Sequence, residues 1–179
     1  MPVLITPRLN CSPLQEEDWP FFLALQQHPD VMRFVAEDRP VAVIREAFDA
    51  RLTPWTPGSA HWLCLVVRDA ASRAPLGVTG YIHREVDCAE VGFLFAPEAQ
   101  GKGYGFESLQ ALCRYAFEEG DIRRLTATVT AGNIASRRLL EKVRFRLEGE
   151  LRESYFLAGH WHNDWLFGLL RHEYLNNKA

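Results

Sequence analysis

Gln100-Gly101-Lys102-Gly103-Tyr104-Gly105 concentrates three glycines, an amide and one cation into six positions. Glycine lets a backbone turn tightly and lets a ligand approach it closely. The run opens an amphipathic segment in which Leu109, Leu112, Cys113, Ala116 and Phe117 recur at helical spacing. The first N–H groups of a helix have no partner inside it and carry its positive end. Aimed at such a turn, they make an anion site suited to phosphate. Lys102 adds a charge. A plain strand-to-helix turn is the alternative, since glycine also punctuates ordinary turns. Two nucleotide loops are excluded. A P-loop needs Ser or Thr after Gly-Lys, and Lys102 is followed by Gly103; a dinucleotide fingerprint needs Gly-x-Gly-x-x-Gly, and position 106 is Phe.

The elements around this turn are readable from periodicity. Val91, Phe93 and Phe95 alternate as in a strand that Pro97 ends. Strands are expected over 3–14, 61–68, 75–83, 89–95, 124–130, 145–155 and 161–170. Helices are expected from Glu16 to Gln27, over Val41–Leu52, from the glycine-rich turn to Glu119, and over Ala135–Val143, with Gly120 as a helix-terminating residue. Residues 53–60 read as a loop. One strand, helices, a run of strands, then alternation implies one α/β domain with a mixed sheet, covering residues 1–179.

The chain has 179 residues, 47% hydrophobic and 24% charged, with a net charge of −3. That suits one domain with a sizeable core and gives no nucleic-acid signal. Cys11, Cys64, Cys88 and Cys113 are scattered without ligand spacing, so no metal site is expected; Cys64 and Cys113 read as core thiols. No export signal or membrane-length apolar run is present. The expectation is a cytoplasmic protein without membrane or nucleic-acid partners.

Gln100-x-x-Gly103-x-Gly105 straight after a strand resembles the pyrophosphate loop of the GCN5-related N-acetyltransferases, which bind acetyl-coenzyme A. Further segments are similar to the RimJ/RimL branch, whose named members acetylate N-terminal amines of ribosomal proteins. They are Thr6-Pro-Arg-Leu through Asp18, Asp30-Val-Met-Arg-Phe34, Asn133-Ile-Ala-Ser136 through Glu141-Lys142-Val143-Arg144-Phe145, and Leu147-Glu-Gly-Glu-Leu-Arg152. The likeness covers nearly the whole chain in the right order. It implies a mixed, mostly antiparallel sheet flanked by helices, with splayed strands forming the cofactor cleft. Three positions depart from related patterns. Arg144 stands where Gly precedes the Phe, while Leu140 and Thr128 occupy the Tyr and carboxylate positions of the RimI type.

The resemblance implies cofactor contacts from Phe93, Leu94, Phe95, Gln100, Gly101, Lys102, Gly103, Tyr104, Gly105, Asn133 and Ser136. Ser136 is the catalytic candidate, as proton donor to the departing thiolate. Asn133 is equally readable as the N-cap of its helix, and a thiol pKa of ~8.5 makes the thiolate a tolerable leaving group even with weak acid help. Asp87, Glu90, His83, Glu150 and Tyr155 are candidate bases, with Glu90 and His83 also readable as structural. Trp55, His61, Trp62, Trp161 and His162 are candidates to line an acceptor pocket. An α-amine titrates near ~7.7–8.0 and needs less help than a lysine at ~10.4, so the absence of an obvious base favours α-amine acceptors. The expected activity is acetyl transfer to an amine, on a protein N-terminus or small molecule, by a monomer or homodimer. A small amine, polyamine or antibiotic acceptor and a non-catalytic acyl-CoA module are the alternatives.

Overall fold

The computed structural model describes residues 1–178. Its centre is an eight-stranded sheet in the order β1-β2-β3-β4-β5-β6-β8-β7. The strands are β1 (Leu4–Ile5), β2 (Leu9–Pro13), β3 (Leu63–Asp69), β4 (Pro75–Glu85), β5 (Cys88–Phe95), β6 (Arg124–Thr130), β7 (Arg146–Leu157) and β8 (His160–Leu170). Every neighbouring pair is antiparallel except β5 and β6. The helices are α1 (Trp19–Gln27), α2 (Pro29–Met32), α3 (Val41–Leu52), α4 (Tyr104–Glu118), α5 (Ile134–Lys142) and α6 (Arg171–Asn176).

Alternation along the strands divides the core into two. Leu63, Leu65, Val67, Tyr81, Val91, Leu125 and Phe167 pack against Leu109, Leu112 and Ala116 of α4. Cys64, Val66 and Val78 face the other way, onto Phe22 and Leu25 of α1 and Ile44 and Phe48 of α3. Helices therefore cover both faces, as a sheet apolar on both sides requires. The buried Asp18 carboxylate links the second face to the sheet by pairing with Arg68 and accepting from the Gln15 N–H at 2.9 Å.

Several expected boundaries shift. The strand expected over 3–14 is a hairpin, with Leu4 opposite Cys11, because the Thr6 hydroxyl takes the Leu9 N–H and closes a turn. Glu16–Asp18 forms a 3₁₀ turn before α1. Pro29 ends α1 and also starts α2, where its missing donor is harmless. Gly120 lies just past α4, but the positive φ belongs to Asp121, at 53°. Gly120 is required for space instead. A Cβ there would lie 2.9 Å from the Ala116 carbonyl oxygen and 3.0 Å from the Tyr81 hydroxyl. Arg144 adopts φ 79°, so the turn before Phe145 takes a side chain at some strain. All four cysteines are free and buried. Among the described residues no helix is long and apolar enough to cross a membrane.

Candidate active site

The parallel ladder between β5 and β6 is short. It pairs Cys88 with Arg124, Ala89 with Leu125 and Glu90 with Thr126, then stops. Beyond it β5 stays bonded to β4 as far as Phe95, and β6 stays bonded to β8 as far as Thr130. The two strands splay, and a cleft of about 510 Å³ opens between them. The Ala96 N–H donates to the Leu76 carbonyl. Hydrogen-bonding direction alternates along an antiparallel strand, so Leu94 and Gly92 also bond toward β4. The main-chain groups of Val91, Phe93 and Phe95 therefore point into the gap. Leu94 differs from the expectation: its backbone belongs to the β4 ladder, and it reaches the cleft through its side chain.

Asn133 and Ser136 line this cleft, as do Phe93 and Leu94. The Asn133 side chain caps α5 by accepting the Ser136 N–H at 3.2 Å. One residue thus starts the helix and aligns Ser136 with the gap. Leu140, fully buried, and exposed Thr128 also line it. Neither is an acid or a base, as their types require.

Beyond the C-terminal end of β5 lies the glycine-rich turn. Gly101 and Gly103 have φ of 73° and 82°, a region that L-side chains rarely enter. Gly103 is the N-cap of α4 and supplies no side-chain cap, so the first N–H groups of the helix are open. Gln100, Gly101, Lys102 and Gly103 are exposed. The Gln100 amide donates to the Phe95 carbonyl at 3.1 Å. Gly105 is already helical and serves packing: a Cβ there would stand 3.0 Å from Leu139 of α5.

Arg8 and Glu107 are absent from the expected site but hold this turn. The Arg8 guanidinium donates to the Lys102 carbonyl at 3.0 Å, pairs with Glu107 at 2.7 Å and lies 4.7 Å from the Tyr104 ring centre. Glu107 also accepts from the Thr6 hydroxyl at 2.5 Å and the Arg8 N–H at 3.0 Å. Partial burial pushes the Glu107 carboxyl up, but these hydrogen bonds and the Arg8 charge outweigh it and hold the group below its usual range. A depressed carboxylate stabilises the fold above its unfolded pKa, and that contribution is lost as pH falls through the folded value. Glu107→Gln should therefore lower the melting temperature near neutral pH. The gap to the parent should narrow as pH falls through the depressed folded pKa and the parent's own Glu107 protonates. Melting curves across the acid range check this; a gap that does not narrow with falling pH would show that the lost contacts do not depend on charge.

The candidate bases separate cleanly. Glu90 and Tyr155 line the cleft. Glu90 is paired with Arg84 at 2.8 Å. The Tyr155 hydroxyl donates to the Val35 carbonyl and so latches β7 onto the segment after α2. His83 lies on the α4 side, stacked 6.0 Å from Trp55, and desolvation lowers its pKa. Asp87 pairs with Arg123 at 2.8 Å, and Glu150 accepts from the Trp165 ring N–H at 3.2 Å; neither lines the cleft. Asp164 was not foreseen. It sits on β8 opposite Thr130, lines the cleft, and has no ion-pair partner among the described residues. Its partner strand was legible, but its place beside β6 depends on the sheet order. Of the expected aromatic and imidazole lining only Trp62 is present, lying across Gly92, where a Cβ would be 3.1 Å from its ring. No group of His, Cys, Asp and Glu among the described residues is arranged to hold a metal.

Comparison with known proteins agrees with this geometry. Residues 8–146 match the family model described as the acetyltransferase (GNAT) domain. YnaD of Bacillus subtilis (strain 168), an uncharacterised N-acetyltransferase, is 25% identical over 172 residues, covering 96% of this chain and 98% of its own. A spermidine N-acetyltransferase from Vibrio cholerae, solved with CoA and spermine, superposes with a TM-score of 0.83 at 23% identity, over 96% of this chain and 100% of the other. RimL, a ribosomal L7/L12 α-N-protein acetyltransferase solved with coenzyme A, gives 0.82 at 20% identity, over 94% and 98%. Structures named for such different acceptors share the fold to the same degree, so the fold does not name the acceptor. With three quarters of its length matched to that family model, the chain belongs to the acetyltransferase (GNAT) domain family, and its class of activity is N-acetyl transfer.

Proposed function

We propose that this protein transfers an acetyl group from acetyl-CoA to an α-amine, on a protein N-terminus or a small molecule, directly within a ternary complex, as in the RimJ/RimL branch. The observation that carries the reading is the early end of the β5–β6 ladder beside Asn133 and Ser136. The donor fits the residues present. The uncapped start of α4, with Gly101 and Gly103 at positive φ and Lys102 and Tyr104 alongside, suits a pyrophosphate. The open edge of β5 at Phe93 suits an amide-bearing arm, while the Phe95 carbonyl already accepts the Gln100 amide. When bound, acetyl-CoA supplies an activated thioester.

The chain's own residues then have three tasks. The outward N–H of Phe93 is a preorganised donor for a developing negative oxygen and costs no side chain. Ser136 holds a hydroxyl proton on the α5 side, available to a departing sulfur. Asp164, the unpaired carboxylate of the cleft, takes the proton released by the amine, directly or through a water. Glu90 is a weaker base because Arg84 holds it. A polyamine acceptor is the second reading, favoured by the same two carboxylates.

Thiol release from acetyl-CoA across a panel of amines tests the proposal. Ser136→Ala should lower kcat roughly tenfold, less than a fully engaged general acid would supply. The rate should climb with pH toward the pKa of each acceptor, because the enzyme uses its neutral form. A profile fixed near pH 6 to 7 for every acceptor would assign control to an enzyme base, and binding of acetyl-CoA without thiol release for any amine would leave an acyl-CoA-binding module.

A further inference from the structure

Arg39 and Arg51 both line the cleft, on the side covered by α1 and α3. Neither has an acidic partner among the described residues. Arg39 donates to the Gln26 side-chain oxygen, and its buried Nε has no hydrogen-bond partner. Arg51 donates to the Ala47 carbonyl at 2.8 Å and lies 5.8 Å from the centre of the Phe22 ring. Burial lowers the Arg51 pKa, and the nearby Arg39 charge lowers it further against an opposing effect of Cys64.

Neighbouring groups do not relieve this. Asp18 is committed to Arg68, and Asp49 to Arg45. The Glu37 side chain accepts the Ala158 N–H at 2.8 Å. Cys64 is near Arg51, but burial pushes its thiol up to about 11, so it is neutral and no counter-ion. The Phe22 ring offers a partial cation–π contact only. Two part-buried guanidiniums that line one cleft without an anion between them repel each other. Their forked terminal donors match a carboxylate, and one bound against them in the cleft would offset the repulsion between the two charges.

The sheet order gives the cleft a direction. Arg51 lies on α3 near Cys64 of β3, the splay lies at β5 and β6, and Asp164 lies on β8. An amine at the splay thus has a carboxylate on one side and a cationic pair on the other. We propose that Arg39 and Arg51 form an anion subsite of the acceptor pocket, and that the acceptor is an amine carrying a carboxylate. The inference rests on the acetyltransferase reading and narrows its substrate class. The carboxylate belongs either to a free amino acid or to an acidic side chain beside a peptide N-terminus. Polycationic amines are disfavoured by the same pair.

Two acceptor pairs distinguish the sources: alanine against alaninamide, and Glu-Ala-amide against Gln-Ala-amide. The carboxylate member of one pair should lead in kcat/KM by about tenfold or more, falling to within about threefold in Arg39→Gln and Arg51→Gln, as loss of a charge-assisted hydrogen bond requires. The dissociation constant of acetyl-CoA should not change in either variant. Should a variant fail to fold, the parent protein with CoA bound decides alone. The N-acetylated carboxylate product of the leading pair should raise its melting temperature, and the N-acetylated neutral counterpart should not. Preference for the neutral members or for spermidine, a preference that survives both substitutions, or a weakened acetyl-CoA affinity in both variants would overturn the subsite. Equal stabilisation by charged and neutral products, or none by either, would do the same. Failure of the acetyltransferase reading looks different: no acetyl-CoA binding and no thiol release with any amine.

Discussion

Gly103→Val should raise the acetyl-CoA dissociation constant by about 30-fold, near 2 kcal/mol, whereas Lys102→Ala should raise it by only about threefold. The asymmetry follows from what each residue contributes. Gly103 sits at φ 82°, caps α4, and would bring a Cβ to 3.2 Å from the Arg8 guanidinium. A β-branched side chain is a severe outlier at that φ. The turn would relax toward negative φ, pulling the Lys102 carbonyl from Arg8 and turning the open N–H groups of α4 away from the anion. Lys102 is exposed and offers one solvated charge. Calorimetric titration of acetyl-CoA into both variants, each checked for native circular dichroism, measures the contrast. Equal losses would mean that the anion is held by side-chain charge rather than by the backbone.

Gly80→Ala should destabilise the fold by about 4 kcal/mol or more, enough to abolish soluble expression at 37 °C. Gly80 lies in β4 between Cys64 of β3 and Gly92 of β5. A Cβ there would lie 1.7 Å from the Leu63 carbonyl oxygen and 2.8 Å from its carbon. Both atoms are main chain in a paired strand, so no rotamer change relieves the clash. The β3–β4 ladder would have to open beside the cleft, with Leu63, Leu65 and Tyr81 of the larger core on the same two strands. Denaturant melts and yield at 18 and 37 °C check this. Gly101→Ala is the contrast: φ there is 73°, but a Cβ meets nothing within 4 Å, so the cost is backbone strain of about 1 kcal/mol. A Gly80→Ala protein as stable as Gly101→Ala would show that the strands can separate freely.

Much was legible from local pattern. Alternation placed β3 to β8 within one or two residues, because side-chain period is a property of the strand itself. The glycine-rich turn was readable because positive φ is a demand on residue type, met at Gly101 and Gly103. Asn133 was readable as a cap because capping is a contact over three residues. Gly120 does stand just past the end of α4, as its helix-terminating reading has it. What requires glycine there, and at Gly105, is close contact with Tyr81 and Leu139, which come from elsewhere in the chain.

The sequence by itself determined most of the strands and the longer helices, the positive-φ demand of the glycine-rich turn, and the family. What only the tertiary structure decided was every relation between distant residues. The clamp of Arg8 and Glu107 spans 99 positions, and the latch of Tyr155 on Val35 spans 120. Sorting five candidate bases, and placing Asp164 in the cleft, needed strand order and facing. The unpaired state of Arg39 and Arg51 needed to be known against all other carboxylates. Charge and burial are sums over whatever the fold brings near, and a linear pattern carries only the part of that sum supplied by its neighbours along the chain.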